Sequence, residues 1–148
     1  MIKSAVKELT FIAAAEVQNF EPLLLPFFMS SVRAGFPSQA DDYIEKSLDF
    51  NEYLVKHPAA TFCVRASGDS MINAGIFPGD VLVVDRALTP KNNSIVIAVL
   101  DGDFTVKRML KSGGDIYLIS ENPAYEPINV TGRNFEVWGI VTHVLHKT

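Results

Sequence analysis

The sequence has little cysteine and no excess of positive charge. Cys63 is the single cysteine, which excludes an internal disulfide, and no Cys/His spacing typical of a zinc site occurs. We therefore expect neither a metal nor a cofactor. Lys and Arg total 13 against 17 Asp and Glu, a formal net charge of −4. This balance argues against a protein that binds DNA mainly by neutralising phosphates.

Long hydrophobic runs are also missing. No uncharged apolar stretch reaches the roughly 18 residues that a transmembrane helix needs, and the longest near the N terminus is Pro22–Val32. Lys3 and Lys7 followed by Leu9–Ala15 imitate a signal peptide, but Glu8 interrupts the pattern. We expect a cytoplasmic protein without membrane contact, and an exported hydrolase stays as an outside alternative.

The composition is that of a folded domain, with 48% hydrophobic and 20% charged residues in 148. Residues 1–34 differ from the rest because they are apolar yet broken by Pro22 and Pro26. We expect residues 1–34 to form a mobile N-terminal tail and residues 35–148 to form the folded domain. At the start of that domain, Ser38 predicts a capped helix over Gln39–Lys46.

From His57 onward, the pattern is of strands and turns. Six runs rich in Val, Ile, Phe and Tyr predict strands: Thr61–Ala66, Val81–Val84, Ser94–Leu100, Asp103–Leu110, Ile116–Ser120 and Phe135–Leu145. Asp101-Gly102 between two of them is typical of a hairpin turn. No alternation of strands with helices occurs. The sequence therefore predicts a mainly β protein with a compact, mostly antiparallel domain.

Two places could carry chemistry. Ser70 follows a strand-like run within Ser67-Gly68-Asp69-Ser70-Met71, where a turn can present a hydroxyl beside free backbone N–H groups. Taken alone, such a serine is usually just a turn residue. Lys107 alternates with Val106 along a strand, and a buried lysine that loses its charge can act as a base. A solvated strand lysine is the ordinary alternative.

Histidine offers no better base in this sequence. His57 precedes a proline, and His143 and His146 lie near the C terminus. We interpret all three as structural or surface residues. Cys63, within a strand-like run, is expected to be a small core residue.

Three linked motifs carry a family resemblance. They are Ala66-Ser67-Gly68-Asp69-Ser70-Met71, Gly79-Asp80-Val81-Leu82-Val83-Val84-Asp85 and Gly102-Asp103-Phe104-Thr105-Val106-Lys107-Arg108. In sequence and spacing the chain resembles the LexA/UmuD family of self-cleaving Ser–Lys peptidases, whose fold is LexA/signal-peptidase-like. The likeness extends roughly from Phe27 to the C terminus.

The resemblance implies roles for particular residues. Ser70 would be the nucleophile and Lys107 the general base, and the backbone N–H groups of Ser70 and Asp69 would hold the oxyanion. Members of the family cut their own chain between a small residue and a glycine, which here implies the Ala34–Gly35 bond. Cleavage there would remove residues 1–34.

The resemblance is closest to UmuD/MucA-type accessory subunits of error-prone translesion polymerases. Residues 1–34 are too short and not basic enough for the DNA-binding module of the repressor branch, so no sequence-specific DNA binding is expected. The implied function belongs to the SOS response to DNA damage. A RecA–single-stranded-DNA filament would stimulate self-cleavage, and the trimmed form would serve as a homodimer with a UmuC-type Y-family DNA polymerase.

A different class of function stays open beside this one. A non-enzymatic β domain that only binds partners would have the same strands, an ordinary Ser70 and Lys107, and an intact Ala34–Gly35 bond. Incubation of the purified chain at mildly alkaline pH followed by mass spectrometry separates the two hypotheses.

Overall fold

A computed structural model describes residues 21–28, 34–35 and 44–148. The chain divides into two compact units, and the boundary in sequence falls between Lys56 and His57. Most of the expected N-terminal tail lies outside the described residues, as do residues 39–43 of the predicted helix.

The smaller unit contains a two-stranded antiparallel sheet. Strand β1 (Leu24–Phe28) pairs with β2 (Ile44–Asp49), and a short helix, α1 (Phe50–Leu54), follows directly. Asp49 stabilises this junction because its Oδ1 accepts hydrogen bonds from the N–H groups of Asn51 and Leu23, both at 3.0 Å. The predicted helix over Gln39–Lys46 is wrong for residues 44–46, where pairing with β1 satisfies the backbone instead.

The larger unit is built on a seven-stranded antiparallel sheet in the order β3-β4-β9-β5-β6-β7-β8. Its strands are β3 (Thr61–Arg65), β4 (Val81–Asp85), β5 (Ile95–Leu100), β6 (Asp103–Ser112), β7 (Asp115–Ile119), β8 (Ile128–Asn129) and β9 (Phe135–Leu145). All six predicted strands are present with ends shifted by two residues at most. The predicted mainly β, antiparallel class is therefore confirmed, whereas β1, β2 and β8 were not anticipated.

The strand β5 lies between two apolar clusters. Ile97 packs with Phe62 and Leu82 in one cluster, whereas its neighbours Val96 and Ala98 belong to the other. Successive strand side chains point to opposite faces, so this strand is apolar along both. The absence of polar alternation in Ile95–Leu100 thus has a structural cause.

Turns and close approaches explain two glycines. Asp101 and Gly102 have φ values of 51° and 88°, so the predicted hairpin turn joins β5 to β6 in the left-handed conformation that Asp-Gly favours. Gly139 lies on β9 beside its neighbouring strand β4: a Cβ there would be 2.6 Å from Val84 Cγ1 and 3.2 Å from Asp85 O. Gly139 therefore permits close strand packing.

Two further observations concern single residues and spans. Cys63 is exposed, so the expectation of a core cysteine is wrong: it alternates with Phe62, whose side chain faces the core. Over the part of the chain that the structure describes, no helix is long and apolar enough to cross a membrane.

Candidate active site

Ser70 lies in a short turn that is anchored at both ends. Ala66 is fixed before the turn, because its N–H donates to Asp80 O at 2.8 Å and its carbonyl accepts from Gly79 N at 2.9 Å. Met71 is fixed after the turn, with a side chain only 2% exposed. Gly68 between them has φ of 77°, which favours glycine. The half-buried Ser70 therefore lies in a turn that is held in place on both sides.

Lys107 reaches Ser70 from the neighbouring part of the sheet. It lies on β6, where it pairs with Val96 of the buried strand β5. Its Nζ is 3.1 Å from Ser70 Oγ. The fold thus brings together the two residues that the sequence singled out, although they are far apart along the chain.

The Lys107 amine has three hydrogen-bonding neighbours. Besides Ser70 Oγ, they are Thr105 Oγ1 at 2.9 Å and Val106 O at 3.0 Å. A neutral amine has two N–H donors and one lone pair. It can donate to the carbonyl and to Thr105 while accepting the proton of the Ser70 hydroxyl. The geometry therefore accommodates uncharged lysine without leaving a polar group unpaired.

Burial lowers the pKa of Lys107 from its ordinary value, because desolvation disfavours the ammonium form. In the described ranges no carboxylate lies within ion-pairing distance of this amine to oppose the effect. The site is therefore suited to supply a basic amine closer to neutral pH than a surface lysine would.

Two histidines that could compete as bases are engaged with buried aspartates. His57 Nδ1 lies 2.6 Å from Asp85 Oδ2, and His146 Nδ1 lies 2.6 Å from Asp80 Oδ1. Both aspartates are buried, and each also accepts a backbone N–H bond. The pairs fix the two ends of β4, which agrees with their interpretation as structural histidines.

The backbone around Ser70 has donors to spare. Among the described residues, no protein group accepts a hydrogen bond from the N–H of Ser70 or of Asp69. Unpaired N–H groups beside a nucleophile are what stabilisation of a developing oxyanion requires.

Sequence reasoning assigned no role to three polar residues of this region. Thr105 contacts Lys107 directly, in agreement with the strand alternation that places both residues on one face. Asn122 and Tyr125 contact Asp69 from a distant segment, for which the sequence carries no local signal.

Ala34 and Gly35 belong to the smaller unit, between β1 and β2 in the sequence. Both are exposed, and a Cβ placed on Gly35 would meet nothing within 4 Å. Within residues 21–28, 34–35 and 44–148, no group of three or more His, Cys, Asp or Glu side chains is arranged to hold a metal ion.

Comparison with known proteins places these residues in a wider setting. A sequence model described as peptidase S24-like matches residues 26–142, a range that contains Ala34, Gly35, Ser70 and Lys107. Protein ImpA of Escherichia coli is 47% identical over 141 residues, covering 90% of this chain and 92% of that protein. Protein MucA of Escherichia coli is 43% identical over 123 residues, covering 82% and 84%. The LexA repressor of Shewanella baltica is 40% identical over 116 residues, covering 78% of this chain and 55% of the repressor.

Proposed function

The chain belongs to the peptidase S24-like family, and on that premise we propose that it is a serine endopeptidase that cuts its own backbone with Ser70 and Lys107. The observation that carries the proposal is the 3.1 Å separation of Lys107 Nζ from Ser70 Oγ in a partly buried setting. The likeness to ImpA, MucA and LexA supports the same activity.

In the first chemical step the neutral Lys107 amine takes the Ser70 hydroxyl proton as Oγ attacks the carbonyl carbon of Ala34. The N–H groups of Ser70 and Asp69 donate to the oxyanion of the tetrahedral intermediate. Collapse of the intermediate breaks the Ala34–Gly35 bond, and Lys107 returns the proton to the leaving Gly35 amine.

In the second step water releases the acyl group. Lys107 removes a proton from a water molecule that attacks the ester between Ala34 and Ser70. The Ser70 oxygen leaves and recovers its proton from Lys107. The products are residues 1–34 and 35–148, and no other co-reactant is needed.

The biological setting is the cytoplasmic SOS response to DNA damage, followed by error-prone translesion synthesis. A RecA–single-stranded-DNA filament accelerates cleavage by binding better to the conformation in which Ala34–Gly35 reaches Ser70. The trimmed chain then acts as a homodimer that assists a UmuC-type Y-family polymerase. The resemblance to UmuD/MucA-type sequences supports this assignment, together with 43% identity to MucA.

The peptidase proposal is tested by mass spectrometry of the full chain during incubation at mildly alkaline pH. We expect a new fragment that begins at Gly35, and its loss in Ser70→Ala and Lys107→Ala. Ser67→Ala is the matched control, because this exposed serine lies in the same turn and should leave cleavage unchanged. A fragment starting elsewhere would refute the assigned bond, and an intact wild-type chain would favour a binding module.

The trigger and partners are tested separately. Addition of RecA, single-stranded DNA and a nucleoside triphosphate should shorten the half-life of the intact chain. Sedimentation should show that residues 35–148 form a dimer. In a separate measurement, this trimmed form should co-purify with a UmuC-type polymerase better than the Ser70→Ala full chain does. Equal rates and equal co-purification would contradict the regulatory part while leaving the peptidase part standing.

A further inference from the structure

The turn that carries Ser70 is bound on its N-terminal side by the segment 121–125, which lies between β7 and β8 in the sequence. Asn122 Nδ2 donates to the backbone carbonyl of Asp69 at 2.9 Å, and the Tyr125 hydroxyl donates to Asp69 Oδ1 at 2.5 Å. Both the main chain and the side chain of the residue before Ser70 are therefore fixed by residues more than 50 positions away.

The same segment binds the turn on its C-terminal side. Asn73 N–H donates to Glu121 O at 2.9 Å, and Glu121 N–H contacts Met71 Sδ at 3.4 Å. Glu121 also forms an ion pair with Arg108, the residue after Lys107. One segment thus contacts both the turn that presents Ser70 and the strand that presents Lys107.

The direction of the Tyr125 side chain is set by the turn that precedes it. Asn122 Oδ1 accepts from Ala124 N–H at 3.0 Å, and Asn122 O accepts from Tyr125 N–H at 3.1 Å. Pro123 removes conformational freedom within this turn. Because this turn is restrained, the Tyr125 hydroxyl can fix the position of the carboxylate that it binds.

We infer that Tyr125 is a positioning residue for the nucleophile: its hydroxyl restrains the Asp69 side chain and thereby orients Ser70 Oγ toward Lys107. The inference rests on the peptidase function proposed above. Asp69 is exposed and the Tyr125 side chain is 45% exposed, so the contact fills no core position. Its consequence is the orientation of the residue between Asp69 and Met71.

The pKa of the Tyr125 phenol agrees with this role. The Asp69 carboxylate raises the pKa of Tyr125, first through the hydrogen bond and then through its charge. The phenol therefore keeps its proton, and continues to donate, to a higher pH than an ordinary tyrosine would.

The first test removes only the hydroxyl. Tyr125→Phe should slow self-cleavage about tenfold, the effect expected for loss of a hydrogen bond to a charged group. The pH midpoint of the rate should not move, because Lys107 keeps its surroundings. Tyr117→Phe is the matched control: its hydroxyl lies 3.4 Å from Asp115 Oδ2 on β7, and its loss should leave the rate unchanged.

The second test asks whether the acceptor can be restored. Asp69→Ala should slow cleavage about as much as Tyr125→Phe, and combining the two changes should add little. Asp69→Asn keeps an oxygen for the phenol and should recover most of the rate, but only where Tyr125 is present. A purely structural loss would show no such dependence.

A third measurement tests the reactivity of Ser70 toward a small reagent, which does not require the Ala34–Gly35 bond to reach Ser70. The rate at which a fluorophosphonate labels Ser70 should fall in Tyr125→Phe by a factor similar to that for cleavage, at a temperature where circular dichroism shows both proteins folded. Cleavage and labelling at the rates of Tyr117→Phe would overturn the inference. Cleavage that persists in Ser70→Ala would overturn the peptidase proposal instead.

Discussion

The two compact units of this chain differ in how their apolar side chains are used. In the larger unit, Phe62, Leu82 and Val96 are almost fully buried within the two apolar clusters. In the smaller unit, Leu23 and Leu24 are 52% and 61% exposed. The larger unit therefore has its own core, whereas a two-stranded sheet of this kind is only marginally stable by itself in water.

The buried core and the proposed cleavage site lie in different units. Ser70 and Lys107 lie in the unit with the core, and the proposed scissile bond lies in the unit whose described leucines are exposed. A catalytic group needs a rigid scaffold, whereas a segment that must enter an active site needs low resistance to rearrangement. The predictions that follow test this contrast, and all unfolding measurements use the Ser70→Ala chain to prevent cleavage.

The largest effect should come from truncating a core leucine. Leu82→Ala should lower the free energy of unfolding by about 2–5 kcal/mol because it leaves a cavity at a site with no exposure. Leu24→Ala, at an exposed site, should change it by less than about 0.5 kcal/mol. Urea denaturation followed by Trp138 fluorescence measures both, and equal losses would contradict the contrast.

A glycine pair gives the next largest difference. Gly139→Ala should cost about 1–3 kcal/mol, because its Cβ would overlap Val84 and crowd the Asp85 carbonyl. Gly35→Ala should be close to neutral, since that Cβ would meet nothing within 4 Å. Thermal unfolding of the two variants compares the close packing of one unit with the open space in the other.

The pH dependence of self-cleavage tests the catalytic group of the larger unit. Burial lowers the folded-state pKa of Lys107 below its ordinary value, so the active neutral form increases as pH rises toward that pKa. The rate should therefore rise about tenfold per pH unit below it and level off above. A profile without slope would contradict Lys107 as the general base.

The lowered pKa of Lys107 also predicts that this residue reduces the stability of the folded chain. The folded chain disfavours charged Lys107, so Lys107→Met should raise the free energy of unfolding at neutral pH. The gain should be full below the folded-state pKa and should vanish as pH approaches the unfolded value of about 10.4. A loss of stability at neutral pH would contradict burial of a neutral amine.

The smallest effect should be local to the smaller unit. Asp49→Ala removes the acceptor for Asn51 N–H and Leu23 N–H and should cost about 1 kcal/mol. Hydrogen exchange should become faster at α1 and at Leu23 but not at β5. Faster exchange in β5 would show that the two units open together.

The sequence predicted the strands of the larger unit well because their signals are local. Alternation, β-branched residues and Asp101-Gly102 specify strand and turn without reference to distant residues. The sequence-based prediction was wrong for residues 44–46, which have a helical pattern but pair with β1 as a strand. It was also wrong for Cys63, because which face of β3 is buried depends on the neighbours of that strand.

For the candidate site, the sequence by itself determined which residues to examine. The motifs around Ser70 and Lys107 indicated the family, which the comparisons confirm. Their catalytic roles and the Ala34–Gly35 cleavage stay predictions. Tertiary structure alone decided that Lys107 Nζ lies 3.1 Å from Ser70 Oγ, and that Tyr125 binds Asp69. The physical reason is that residue types and the two-residue alternation of a strand can be recognised within a short stretch of sequence. A contact between distant segments, by contrast, forms only once the sheet has brought its strands together.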